Sequence, residues 1–375
     1  MTLSGSRWTM TVRPSPGVEY PVFVGTGMLD ELPELLRGRA PAARYALIAD
    51  DQVAELHAQR LLDLLRASGA TVTLHTFAAG EAQKNRGVWG DLTDELLAVG
   101  VGRDGAVLAL GGGVTGDLAG FVAATYMRGI PVVQLPTSLV AMIDSSVGGK
   151  TGVDVPAGKN LVGAFHQPAF VLADVELALT LPRRERAQGL AEAVKHGAIL
   201  DAGYFERIQE GAEALLAGAV EPTGALVARS VELKGGVVTE DEREVGLRQI
   251  LNFGHTLGHA LEAASHFALP HGDAVALGMI LESELGEELG VTRPGTTDRL
   301  IRALEAVELP VRVPTGFDPE VILDLVARDK KVRGGAARIV FLQEIGVTDP
   351  GEGWSRAVPA GELREFLRHA LPSEV

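Results

Sequence analysis

The sequence predicts an α/β N-terminal domain of the dinucleotide-binding kind, built on a mostly parallel sheet, followed by a mainly α-helical C-terminal domain. Short buried-strand runs alternate with helix-periodic stretches through the first half, the rhythm of βαβ units. One of these strands runs straight into Gly111-Gly-Gly-Val-Thr-Gly-Asp117, a glycine turn that opens a helix. Past Thr180-Leu-Pro182 the strand signal fades and apolar residues recur at helical spacing. The boundary therefore falls near residue 180, giving domains 1–180 and 181–375, with the cleft between the halves as the expected site.

Taken in order, Trp8–Val12 and Val18–Val24 read as an opening strand pair around Pro14-Ser-Pro-Gly17. Arg44–Ala49 is a buried-strand run ending on Asp50, and Val53–Ala67 carries helical periodicity. Thr71–Phe77 is the next strand; Gly80-Glu81 breaks it, and Arg86–Val99 is helical again. Val107–Leu110 and Val132–Leu135 add two strands, with helical spacing over Val114–Met127 between them. In the second half Arg184–Leu200, Gly203–Gly218, Gly224–Thr239, Gly246–Ala264, Asp273–Leu289, Thr296–Ala306 and Pro319–Val326 read as helices. Ala337–Leu342 is a late hairpin strand and Ala360–Leu371 a last helix.

Composition narrows the function. At 375 residues the chain is long for one core, so two domains are expected. A net charge of −15 argues against nucleic acid or an anionic membrane as the main partner, although a local basic pocket can oppose the global field. The chain has no cysteine, which excludes disulfides, thiolate nucleophiles, Cys-ligated zinc and iron–sulfur clusters. Any tight metal site must be built from His and carboxylate. The N-terminus lacks an apolar signal core and no apolar run reaches membrane-spanning length, so cytoplasmic residence is expected.

Several constellations carry chemistry. Gly111-Gly-Gly113 permits close backbone approach to a pyrophosphate, with Asp117 one turn into the helix, although an ordinary strand–helix turn would look the same. Asp50 stands where a ribose hydroxyl partner would, or caps a helix; Glu81 and Lys84 have the same two readings. Pro136–Gly152 packs hydroxyl residues, Asp144, two adjacent glycines and Lys150 into a loop, and Gly158-Lys-Asn160 adds donors suited to phosphate or carboxylate. The P-loop pattern is absent, which rejects an NTPase. On one helix, Glu192, Lys195 and His196 share a face, as a plain Glu–Lys pair would. Spacing alone names His255 and His259 as a helical metal pair, with His271 able to close the site from another element. The glycines at 254 and 258 suggest close packing of that segment against a neighbour.

These motifs, from Gly80-Glu81 to Asp329-Lys-Lys331, resemble the 3-dehydroquinate synthase family of sugar-phosphate cyclases over nearly the whole chain. The resemblance implies a dehydroquinate-synthase-like fold and an enzyme that holds NAD and Zn2+ or Co2+. Its substrate would be a phosphorylated sugar acid, 3-deoxy-D-arabino-heptulosonate 7-phosphate, converted to 3-dehydroquinate and phosphate by transient oxidation, phosphate elimination, re-reduction and aldol ring closure. The implied metal ligands are Glu192, His255 and His271, which moves His259 from metal to substrate. Substrate binders fall on Asp144, Lys150, Lys159, Asn160, Lys195, Lys234, Arg248, Asn252 and His259, with Lys330 or Lys331 as a further one. NAD contacts fall on Asp50, Glu81, Lys84, the turn Gly113, Val114, Thr115, Gly116 and Asp117, and Thr137 and Ser138; Asp144, Lys150 and Lys159 border both ligands. Arg128 matches an arginine donated across a homodimer interface. Met142 departs from the family, standing where a polar residue is usual. A sister cyclase acting on a sugar phosphate without a carboxylate, an NAD- and metal-dependent polyol dehydrogenase and a non-catalytic binding protein are the alternatives.

Overall fold

The structure, a computed structural model, describes residues 7–328 and 336–372. It forms two compact units, Met1–Leu181 with Val220–Glu242, and Pro182–Ala219 with Arg243–Val375.

The first unit is organised by a seven-stranded sheet. Its strands are β1 (Trp8–Ser15), β2 (Val18–Gly25), β3 (Tyr45–Asp50), β4 (Val72–Phe77), β5 (Ala106–Gly111) and β6 (Val132–Pro136). After a separate antiparallel hairpin of β7 (Lys150–Val155) and β8 (Gly158–Phe165), β9 (Phe170–Asp174) completes it. The order is β1-β2-β9-β6-β5-β3-β4, parallel throughout except for the β1–β2 pair. Strands β5, β6 and β9 are buried along their whole length, and β3 everywhere but Asp50. Helix-covered parallel strands read as unbroken apolar runs for this reason. From β3 the chain steps to β4 on one side and then to β5 on the other. The order reverses there, opening a crevice outside the carboxyl ends of these strands. Asp50 ends β3, Gly111 ends β5 and Pro136 ends β6, so the residues singled out for a nucleotide stand at that end.

Helix α1 (Arg86–Ala98) follows β4, and α2 (Gly113–Thr125) follows β5. Asn85 caps α1, its Oδ1 accepting from Gly87 N–H at 2.8 Å and Val88 N–H at 3.1 Å. The chain leaves the unit at Pro182 for α3 (Arg183–Leu200) and returns for α4 (Val220–Glu240). Chain order alone had put α4 in the second domain. It groups with the first because it packs on β1 and β2, with Gly224 against the Trp8 ring and Gly235 against Val12.

The second unit is helical: α3, α5 (His255–Ala264), α6 (His271–Glu288), α7 (Thr296–Ala306), α8 (Pro319–Arg328) and α9 (Ala360–Ala370), with short strand pairs. Its core joins α5, α6, α8 and α9 through Leu257, Leu261, Leu281, Ile322 and Phe366. The single helix expected over 246–264 is two pieces, a 3-10 turn Leu247–Asn252 and α5. Gly254, at φ +78°, takes a left-handed conformation that stops the first and starts the second. No helix of the described residues is long and apolar enough to cross a membrane.

Candidate active site

In the first unit, the turn from β5 into α2 builds an anion cradle. The first N–H groups of a helix have no intrahelical acceptor, and Gly112, the N-cap, supplies no side chain to take them. A Cβ at Gly112 would lie 3.3 Å from Ser138 Oγ, and one at Gly113 would lie 3.2 Å from Ser145 Oγ. A side chain at either glycine would crowd the serine hydroxyl beside the turn. Thr137 N–H donates to Gly111 O at 2.9 Å, which ties the β6 end to the turn and places Ser138 opposite. Gly116 faces the buried Gln134, whose Nε2 donates to Gly116 O at 3.1 Å. The cradle is therefore shaped for a pyrophosphate, and the residues fit NAD.

Asp50 is a helix cap, and its second oxygen reaches the cradle turn. One oxygen caps the following helical turn, accepting from Val53 N–H at 2.9 Å, and the other accepts from Thr115 Oγ at 3.3 Å. Lys84, 4% exposed, donates to Asp117 Oδ2 at 2.7 Å and stands 3.8 Å from Glu81. Burial opposes its charge, but Asp117 and Glu81 outweigh it and hold the ammonium above its usual range. Lys159 Nζ lies 3.6 Å from the same Glu81 oxygen. Glu81, Lys84 and Lys159 thus gather round one carboxylate–ammonium group, and Asn85 rather than Glu81 is the α1 cap.

Asp144 sits in a π-helical turn, Ala141–Ser145, where the fully buried Met142 fills an apolar position. The 5%-exposed Lys234 of α4 donates to the Asp144 carbonyl at 2.7 Å and pairs with Oδ1 at 2.8 Å. Gly148 and Gly149 both have positive φ, and Gly148 N–H donates to the buried Tyr20 hydroxyl at 2.9 Å. That bond anchors the turn leading to Lys150, the exposed first residue of β7. Asn160, left-handed at φ +54°, is held by its N–H to Asp154 Oδ1 at 2.8 Å. Arg128 is exposed past the far end of α2, away from the cradle by the length of that helix, roughly 20 Å at 1.5 Å per residue.

In the second unit, Glu192, His255 and His271 come together. Glu192 Oε1 lies 3.4 Å from His255 Nε2 and 3.4 Å from His271 Nε2. One ligand atom from each falls within 4.8 Å of the others. His255 Nδ1 bonds the Phe253 carbonyl at 3.1 Å and His271 Nδ1 faces Glu262 Oε2 at 3.5 Å. With a proton on each Nδ1, both Nε2 atoms would be free to ligate an ion held beside Glu192. His259 is exposed, its ring 5.1 Å from His255 and 5.8 Å from His271; with Glu262 and His271 it forms a second group of ligand-type atoms. The first group is the better centre: Glu192 is 2% exposed and Glu262 is taken up with the far side of His271. An all-nitrogen and oxygen donor set of two imidazoles and a carboxylate fits a zinc-type ion.

Burial alone would raise the Glu192 carboxyl, but Lys195, His255 and His271 hold it well below the usual carboxylate range. Burial and Lys195 push His255 down, whereas hydrogen bonds to Glu192 and Glu262 overcome burial at His271 and raise it to about 9. Lys195 is ion-paired with Glu192, both 2% exposed. Arg248, 1% exposed, lies on the 3-10 turn that packs against α3, and Asn252 Nδ2 donates to Glu244 Oε1 at 2.7 Å. Lys330 and Lys331 lie outside the described residues.

The close approach suggested by the glycine pair is visible. A Cβ at Gly258 would meet Ala274 O at 2.7 Å, so α5 and α6 touch backbone to backbone and His255 comes beside His271. Sequence reasoning missed Glu262 and Gln188. Gln188 holds the start of α6 by accepting from Asp273 N–H at 3.1 Å and donating to Asp273 Oδ1 at 2.6 Å. An i, i+3 relation to His259 was the only trace of Glu262 in the sequence. It also missed β9 and the β7–β8 hairpin, although Pro156-Ala-Gly158 between alternating runs is a hairpin signal.

The chain is similar to known proteins in both sequence and fold. Residues 74–188 match the family model for the 3-dehydroquinate synthase N-terminal domain, and residues 189–332 the model for its C-terminal domain. The chain is 48% identical over 324 residues to a 3-dehydroquinate synthase of Symbiobacterium thermophilum, covering 86% of this chain and 90% of the relative. It is 43% identical over 355 residues to that of Caulobacter vibrioides, covering 93% and 95%. Among solved structures it is similar to 2-deoxy-scyllo-inosose synthase complexed with carbaglucose-6-phosphate, NAD+ and Co2+ (25% identity, TM-score 0.89, 97% of this chain and 100% of that one). It also resembles 2-epi-5-epi-valiolone synthase from Streptomyces hygroscopicus with NAD+ and Zn2+ bound (29% identity, TM-score 0.85, 94% and 97%).

Proposed function

Because the chain belongs to the 3-dehydroquinate synthase family, we propose that it converts 3-deoxy-D-arabino-heptulosonate 7-phosphate to 3-dehydroquinate and phosphate. It acts as a carbon–oxygen lyase dependent on NAD and on Zn2+ or Co2+. The observation that carries this reading is the Glu192–His255–His271 set, centred on the buried Glu192 with the Lys195 ammonium against it. When bound, NAD+ takes up and returns a hydride within one turnover and the divalent ion polarises substrate hydroxyls as a Lewis acid.

The chain's own groups do the rest. The amides of Gly113–Thr115 and the positive end of α2 hold the pyrophosphate, while Asp50 and Glu81 accept from ribose hydroxyls. Asp117 fixes Lys84, and Asp144 fixes Lys234, so that each ammonium is presented at a set place. Lys195 is buried against Glu192 and Lys234 against Asp144, so a carboxylate holds each of these cations in place. Fixed cations of this kind suit a substrate with a phosphate, a carboxylate and developing oxyanions. Lys150, Lys159 and Asn160 in the first unit, and Asn252 and His259 in the second, are further donors of the kind that bind phosphate and carboxylate.

A sister cyclase substrate has no carboxylate and gives Lys234, Arg248 and Asn252 no joint purpose. Arg248→Ala is accordingly expected to lower kcat/KM for the carboxylated substrate by about 2–4 kcal/mol, the cost of losing one side of a buried charged contact. An unchanged kcat/KM would take Arg248 out of the site. Arg128 stands far from its own cradle, which supports a homodimer that shares it; full activity in a sample shown to be monomeric by sedimentation would remove that part. The reaction itself is tested by phosphate release from the heptulosonate phosphate. Release should stop with a chelator and return with Zn2+ or Co2+, without accumulating NADH. Steady NADH production would make the protein a dehydrogenase instead.

A further inference from the structure

We infer that Glu282 is a positioning residue for the metal centre: from α6 it caps the helical turn of α5 that carries His255. The inference rests on the reading of Glu192, His255 and His271 as the ligands.

Glu282 has no assigned role and is fully buried, at 0% exposure. Its Oε2 accepts from Gly254 N–H at 2.7 Å and its Oε1 from Leu257 N–H at 3.1 Å. Gly254 is the N-cap of α5 and Leu257 its third residue, so this one carboxylate takes both amides that a capping box would satisfy with two local side chains. The helix cannot cap itself, because the residue at the N-cap is a left-handed glycine without a side chain. That glycine is required in turn by the close packing, since a Cβ there would meet Val275 O at 2.9 Å. The site therefore gives up a local cap to let α5 and α6 approach, and Glu282 restores it from the opposite helix.

His255 is the first residue of α5 and lies between the two amides that Glu282 holds. His271 is the first residue of α6, the helix that bears Glu282. One carboxylate thus fixes the start of one ligand-bearing helix to the body of the other, setting the spacing of the two imidazoles. Its negative charge also sits at the positive end of α5, where the helix dipole favours it. The Phe253 carbonyl that holds His255 Nδ1 precedes Gly254 directly, so a slip of the cap would turn the ring as well.

The test is Zn2+ affinity, measured on chelator-stripped protein by competition with a chromophoric chelator. Glu282→Gln keeps the shape but turns one acceptor into a donor that faces an N–H. The expected result is Zn2+ binding about 10–100-fold weaker than wild type, the scale of losing a partner behind a metal ligand. Glu282→Asp, which keeps the charge and both acceptors, should recover part of the loss. A folded Glu282→Gln protein with wild-type Zn2+ affinity and only a lower Tm would reduce Glu282 to a structural cap and overturn the inference. A second measurement needs no variant. Coupling is reciprocal, so loading wild-type protein with Zn2+ should slow hydrogen exchange at the Gly254 and Leu257 amides, and unchanged exchange there would also overturn it. Wild-type protein that fails to bind Zn2+ stoichiometrically would instead sink the ligand assignment, a separable result.

Discussion

His271→Ala protein is expected to be purified without stoichiometric metal and with kcat/KM lowered at least a thousandfold, whereas His259→Ala keeps its metal and loses activity less steeply. In the geometry, Nε2 of His271 and Nε2 of His255 both face one oxygen of the buried Glu192. Removing one of three protein ligands should cost more metal affinity than the roughly 10–100-fold lost with an outer hydrogen-bond partner. The Lewis-acid contribution forfeited with the ion is several kcal/mol, which the transition-state relation converts to about three orders of magnitude. Metal content by elemental analysis separates the variants cleanly. If His259→Ala loses the ion and His271→Ala keeps it, the helical i, i+4 pair His255 and His259 is the ligand pair and His271 is not a ligand.

Gly278→Ala is expected to be the most destabilising small substitution in the second unit, by about 3 kcal/mol or more, at the upper end of overpacking effects. Its Cβ would fall 1.9 Å from Gly254 O and 2.7 Å from Gly258 N. Both are backbone atoms that no rotamer change can move, so α5 and α6 must separate. His255 and His259 travel with α5, so the urea midpoint and the Zn2+ affinity should fall together. Gly236→Ala in α4 is the control: nothing lies within 4 Å of its Cβ, and a helical Gly→Ala change should stabilise by about 0.4–1 kcal/mol. A Gly278→Ala protein with a wild-type midpoint would mean that the two helices have slack.

Much of this was legible in the residues because the signals were local. The buried runs at β3, β5 and β6 announced a parallel sheet, and the glycines at 111–113 marked the cradle at a strand's end. The pair Gly254 and Gly258 announced close packing before its partner was known. What stayed hidden was long-range. Spacing favoured His259 because i, i+4 is visible along the chain, while the approach of Glu192 and His271 depends on three helices meeting. Glu282 was invisible for the same reason, since its partners lie 28 and 25 residues earlier. Helix α4 was misfiled because its amphipathic pattern does not say which surface it covers. The departure at Met142 resolves into packing: the position is fully buried.

The return of α4 to the first unit has a consequence for the integrity of the polypeptide. Neither unit is a continuous stretch of sequence, so a gene truncated after Leu181 would encode a sheet whose β1–β2 edge is bare, with Trp8 and Val12 stripped of their cover. Such a fragment should be insoluble or captured by chaperones when made alone. Supplying residues 182–375 in trans should rescue it, because only that piece brings the missing lid of the first unit back.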